Sequence, residues 1–244
     1  MSLRQRTKVL ESLAMKHQMQ HLQELAQANG PLCVGLDTSA DYLPPEITRT
    51  SSPAQAVLRF NERLIERIAH DKSAACFKVQ AAYYEAMGVE GMRAFAATLR
   101  CVRQSGLVCI SDVKRGDIAA TAKAYAQAHF AGDFEAAIIT VNPYMGFDTL
   151  EPFVEVCAHT GKGIFVLLCT SNPGAADIER KRLASGEQVM DLVGGEIERL
   201  CDKLHRLFPD ESCGALGAVV GCTQAAEAKS LREAHRGVFF LVPG

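Results

Sequence analysis

No charge field of one sign runs along this chain. Its 26 Lys and Arg residues and 28 Asp and Glu residues are interspersed and leave a formal net charge of −2. A nucleic-acid groove or a polybasic membrane patch needs a one-sign field, so no nucleic-acid partner and no membrane partner are expected. No apolar stretch reaches spanning length, and the opening "MSLRQRTKVL" is polar, unlike a secretory leader. The nine cysteines include no Cys-x-x-Cys pair and none of the Cys/His spacing of a zinc site. Cys33, Cys76, Cys109 and Cys169 lie inside apolar runs, where a thiol behaves as a small hydrophobe. Reduced, buried thiols in a cytoplasmic protein are the expectation. No linker, composition break, short-period repeat or low-complexity tract divides the sequence, so one domain over 1–244 is expected.

Seven short runs rich in Val, Ile, Leu and Cys are present: "PLCVGLD", "AACFKVQ", "LVCISD", "AAIITVNP", "GIFVLLCT", "LGAVVGC" and "VFFLVPG". Strands that are apolar throughout need cover on both faces, which marks parallel strands in β/α units. The intervening stretches carry helical spacing. Val57, Phe60, Leu64, Ile65 and Ile68 define one apolar face, Phe95, Leu99 and Val102 a second, and Ile197, Leu200, Leu204 and Leu207 a third. An additional N-terminal helix is expected over roughly residues 3–28, stopped by "NG". Seven such units without a hairpin signal favour an α/β fold of the (β/α)8 TIM-barrel type over an open doubly wound sheet. The count is one strand short of closure, so the eighth strand is expected to be missing and the barrel C-terminally incomplete.

In such barrels the C-terminal strand ends face the active site. Those ends carry Asp37, then Lys78 within "FKVQ", then Asp112 and Lys114 within "SDVKRGD", then Asn142, then Ser171, and last "PG" with Pro243. Strand alternation sets Asp112 and Lys114 on one side of the chain. Asp117, after Gly116, suits the first turn of a helix and reads equally well as a cap. Asp37 and Ser171 read equally as turn formers. Lys78 is harder to explain as structure, because a lysine in a strand covered on both faces needs a polar partner, and Asp37 on the neighbouring strand is the candidate. A lysine flanked by carboxylates keeps its proton and acts as a proton donor or electrostatic clamp rather than a Schiff-base nucleophile. No histidine stands at a strand end and no Ser-His-Asp pattern occurs, which disfavours hydrolase chemistry.

"DVKRGDIAATAKAY" resembles the signature of orotidine 5′-phosphate decarboxylases: Asp-x-Lys-x-x-Asp with a Thr four positions after the second Asp, here Thr121. "GLDTS", "FKVQAAYYE", "TVNPYMG", "TSNPGA" and "VPG" follow the same family's order, from about residue 31 to the end. The resemblance implies decarboxylation of orotidine 5′-monophosphate to uridine 5′-monophosphate, in pyrimidine biosynthesis, with no metal and no organic cofactor. By that likeness Lys114 is the proton donor to C6, Asp112 sits beside the substrate carboxylate, Lys78 links the acids and the ribose, and Asp37 binds ribose hydroxyls. Ser171 hydrogen-bonds the pyrimidine amide, with Asn142 and Pro243 also at the substrate, while Asp117, Ile118 and Thr121 reach the neighbouring site of a homodimer. The family's phosphate-binding Gln and Arg fall beyond Gly244, which implies an impaired 244-residue form. Two alternatives remain open here: a Mg²⁺-dependent phosphosugar decarboxylase or synthase with the same Asp-x-Lys-x-x-Asp pattern, and a nucleotide-binding dimer with crippled catalysis.

Overall fold

The computed structural model describes residues 16–221 and 225–243. Seven strands occur among them: β1 (Cys33–Gly35), β2 (Cys76–Gln80), β3 (Val108–Arg115), β4 (Ile138–Val141), β5 (Gly163–Cys169), β6 (Leu216–Val220) and β7 (Phe239–Leu241). Pairing is parallel between β1 and β2 and between β2 and β3, and again between β5 and β6 and between β6 and β7. Helices alternate with them: α1 (Gln18–Asn29), α2 (Pro53–Asp71), α3 (Gly88–Gln104), α4 (Ala119–Phe130), α5 (Glu151–Thr160), α6 (Val189–His205) and α7 (Ala225–Ala234). All seven apolar runs became strands, as complete burial of β4 and β6 and near-complete burial of β5 require. Among the described residues no helix is long and apolar enough to cross a membrane.

The chain forms two compact units, one of His21–Val113 with Ala124–Ile139, the other of Met1–Gln20, Lys114–Lys123 and Thr140–Gly244. In the first, α2 opens with a capping box in which Ser52 and Gln55 satisfy each other's backbone N–H groups, with Pro53 at the first helical position. Its face buries Val57 and Ile65, whereas Phe60, Leu64 and Ile68 are only half-buried. The face of α3 is buried as its spacing predicts, with Phe95, Leu99 and Val102 all at 0% exposure.

In the second unit α6 buries Ile197, Leu200 and Leu204, but Leu207 departs from that face. The helix ends at His205, so position 207 no longer follows helical spacing; Leu207 is exposed and Phe208 turns inward. Of the cysteines, Cys76, Cys109, Cys157, Cys169 and Cys201 are buried and Cys33, Cys101 and Cys213 half-buried, all as free thiols; Cys222 lies outside the described residues.

The N-terminal helix is described from Gln18, later than the expected start, and residues 3–15 of that expectation lie outside the described residues. It stops after Asn29 at Gly30, whose φ of +89° is the left-handed backbone that glycine accepts without strain. The backbone N–H of Gln18 donates to the Gly161 carbonyl at 2.7 Å, and that of Gln20 donates to His17 Nδ1 at 3.0 Å. His17 stands edge-on to Phe208, with ring centroids 5.3 Å apart. Burial, foremost, pulls its imidazole pKa down from 6.5 to about 4.

A folded-state pKa below the unfolded value means that the unfolded chain takes up the proton first as pH falls. The stability from neutral His17 is therefore complete above about pH 6.5 and is lost as the pH falls from there through about 4. Urea midpoints of the parent and of His17→Gln, followed from pH 7.5 to 4, should converge over that window. Parallel curves would show that His17 titrates normally in the fold.

Candidate active site

In the first unit, parallel register decides which side chains meet. Gly35, Lys78 and Ile110 lie abreast on β1, β2 and β3, and Gln80 lies abreast of Asp112 one alternation further on. Residues two apart share a face, so Lys78 and Gln80 point the same way. The Lys78 ammonium donates to Asp37 Oδ1 and Oδ2 at 3.1 and 3.3 Å and to Asp112 Oδ2 at 3.3 Å. The Gln80 amide donates to the same Asp112 oxygen at 2.9 Å. The Lys78 side chain is 15% exposed and that of Asp112 7%, against 41% for Asp37. Burial pulls the Lys78 pKa down, but the Coulomb fields of Asp112 and Asp37 outweigh it, and the net shift is upward. The ammonium is therefore fixed in its charged form.

Behind Asp37 lies a polar chain that the sequence did not reveal. The Thr38 hydroxyl donates to Asn61 Oδ1 at 2.7 Å, and Asn61 Nδ2 donates to the Tyr84 hydroxyl oxygen at 2.8 Å. Asn61 and Tyr84 are fully buried. Asn61 stands four residues after Val57 and four before Ile65, so its position on the apolar face was the available signal. Gln80 was also missed, although it stands two residues after Lys78 and so shares its face.

In the second unit, β3 ends at Lys114 and Arg115. Lys114 has φ +44°, a left-handed backbone rare for a side-chain-bearing residue and common at functional positions. Regular alternation from Asp112 therefore does not extend through residue 114. Its backbone N–H donates to Thr140 Oγ1 at 2.9 Å, and the Arg115 carbonyl accepts from the Asn142 N–H at 2.8 Å. Gly116 has no room for a side chain, since a Cβ there would fall 2.8 Å from the Asn142 carbonyl oxygen. Asp117 is not in the first turn of the following helix, because α4 begins at Ala119. Its carboxylate instead accepts the N–H of the adjacent Ile118 at 2.8 Å, and Ala119, the first residue of α4, has a positive φ. Ile118 is 56% exposed and Thr121 is exposed as well.

Asn142 accepts the Tyr144 N–H at 2.9 Å and lines a cavity of about 720 Å³ with Thr170, Asn172 and Glu179 among its polar lining. Ser171 is exposed on the loop after β5. Its backbone lies against Gly221 at the end of β6, where a Cβ would fall 2.7 Å from the Ser171 nitrogen and 2.9 Å from its Cα. Pro243 is half-buried just past β7.

Parallel β/α units with a charged set at their strand ends define an α/β enzyme of the TIM-barrel class. The chain belongs to the "Orotidine 5′-phosphate decarboxylase / HUMPS family", which matches residues 30–244. It is 44% identical over 226 residues to the orotidine 5′-phosphate decarboxylase of Clostridium tetani, covering 91% of this chain and 76% of that protein. The decarboxylase of Clostridium perfringens is 45% identical over 222 residues, with the same coverage. Among solved structures, Leishmania donovani OMP decarboxylase matches with a TM-score of 0.74 and 34% identity, over 93% of this chain and 79% of that one. Leishmania donovani UMP synthase matches with a TM-score of 0.76 and 33% identity, over 94% of this chain and 45% of that one.

Because Gly221 abuts backbone atoms of Ser171, Gly221→Ala should force the two segments apart and cost about 1–3 kcal/mol, the usual range for overpacking. Denaturant unfolding measures this; an unchanged midpoint would mean that the Ser171 loop yields freely.

Proposed function

We propose that this chain decarboxylates orotidine 5′-monophosphate to uridine 5′-monophosphate in pyrimidine biosynthesis, acting in the cytoplasm as a homodimer. The observation that carries the reading is the Asp37–Lys78–Asp112 ion-paired set, with Lys114 two residues further along β3, in a chain of this family. In the reaction the bond from C6 to the carboxylate carbon breaks, CO₂ leaves, and the electron pair stays on C6. That carbanion has no conjugated sink, so a nearby fixed cation must stabilise the developing charge. Lys114 fills this role and then delivers a proton from Nζ to C6; solvent restores the proton to the amine. Asp112 flanks the substrate carboxylate, and Lys78, held charged by its two carboxylates, connects this region to the ribose, whose hydroxyls Asp37 accepts. Ser171 bonds the pyrimidine amide, with Asn142 and Pro243 bordering the base. Asp117, Ile118 and Thr121 act across the dimer: the exposure of Ile118 and Thr121 on their own chain supports that reading.

Turnover of orotidine 5′-monophosphate, followed as loss of its absorbance, tests the assignment. Activity should survive EDTA, and Lys114→Ala should lower kcat by about 10²–10³-fold or more while affinity for uridine 5′-monophosphate changes far less. A full-length protein that is inactive, or active only with Mg²⁺, would overturn the reading.

The shared site is tested by mixing the inactive variants Lys114→Ala and Asp117→Ala after dissociating their dimers. Random re-pairing makes about half the dimers mixed, each with one intact site, so roughly a quarter of parent activity should return. Continued inactivity after proven exchange would place Asp117 in its own subunit's site.

A further inference from the structure

Three side chains outside the charged rim converge where β5 ends. Arg180, on the loop after β5, donates from Nε to Glu227 Oε1 and from a terminal nitrogen to Glu227 Oε2, both at 2.7 Å. Glu227 belongs to the first turn of α7. The Cys169 thiol, at the last position of β5, donates to the same Oε2 at 3.3 Å. The paired side chains are only 17% and 15% exposed. A two-point guanidinium–carboxylate contact fixes orientation as well as distance, which single-point surface pairs do not. Arg180 holds the Glu227 carboxyl below its usual range, so the pair stays ionised near neutrality.

The preceding residue completes the anchorage. One Glu179 oxygen accepts the Thr170 N–H and the other the Thr170 hydroxyl, each at 2.7 Å. The loop from Thr170 to Gln188 is thus tied to its own root by Glu179 and to α7 by Arg180. Ser171 follows the first tie directly and rests against Gly221. Arg180 and Glu227 have no part in the proposed chemistry.

We propose that Arg180 and Glu227 are positioning residues: their ion pair holds the loop after β5 so that Ser171 meets the pyrimidine amide of the nucleotide. This rests on the reading of Ser171 as the base-binding residue. A contact made alike in ground and transition states changes KM more than kcat, so misplacing Ser171 should show mainly in KM. In the full chain, Arg180→Ala should raise KM for orotidine 5′-monophosphate and weaken uridine 5′-monophosphate binding by about tenfold, with kcat altered less than about threefold. Arg180→Lys, which keeps the charge but loses the two-point geometry, should recover part of that loss. Should Arg180→Ala fail to fold, Glu227→Gln, which keeps the shape and removes the charge, is read in the same way. Measurements are made where circular dichroism shows each variant folded. KM and nucleotide affinity within about twofold of the parent, whatever happens to the melting temperature, would overturn the proposal, as would an equal loss in Arg180→Lys and Arg180→Ala. A full-length parent protein without turnover would instead overturn the decarboxylase reading itself.

Discussion

The ammonium of Lys78 is the constraint around which the rim is organised. A strand covered on both faces has no water to offer a charged side chain, and an unpaired ammonium there would shed its proton. Two carboxylates, Asp112 on β3 and Asp37 just past the end of β1, reverse that preference. The arrangement demands close register among β1, β2 and β3, because a slip of one residue would turn Lys78 to the opposite face. Gln80 adds a neutral donor to the Asp112 oxygen that Lys78 also uses, so that carboxylate is held from two sides. Removing Lys78 leaves the Asp112 carboxylate buried without that ammonium, and breaking a buried pair costs more than the pair contributes.

Support for this set extends outward in steps. Asp37 is followed directly by Thr38, whose hydroxyl begins the chain through Asn61 to Tyr84. Burial pushes the Tyr84 hydroxyl well above its usual pKa, so it remains a neutral hydrogen-bonding group. Each member of that chain gains a partner it would otherwise have had in water, which is the condition for burying polar groups. In the other unit the same economy of contact is achieved by absence of side chains, with Gly116 against Asn142 and Gly221 against Ser171.

The strands were legible because continuous apolar runs of this length have one stable use, and the rim because acids and lysines at their ends resist a bland explanation. Lys78 with Asp37 was readable on those grounds, and the structure joins them. The helices were less transparent. Leu207 fits the spacing of α6 yet lies past its end, since periodicity alone does not register where the backbone stops being helical. Asp117 has a capping residue's composition, but α4 begins only at Ala119, and the Asp117 carboxylate bonds the adjacent Ile118 N–H. Arg180 and Glu227 were invisible for a common reason: a lone polar residue on a helix or loop reads as solvated until its partner, dozens of residues away, is placed.

The left-handed backbone at Lys114 has a consequence for how this protein can change. Positions with positive φ ordinarily favour glycine, by about 1 kcal/mol or more over a residue bearing Cβ. Selection for thermal robustness alone therefore pushes residue 114 toward glycine, while retention of an amine there opposes it. With Lys114 in its proposed role, stability and chemistry compete at a single codon, and a lineage released from that reaction would be expected to lose this lysine early.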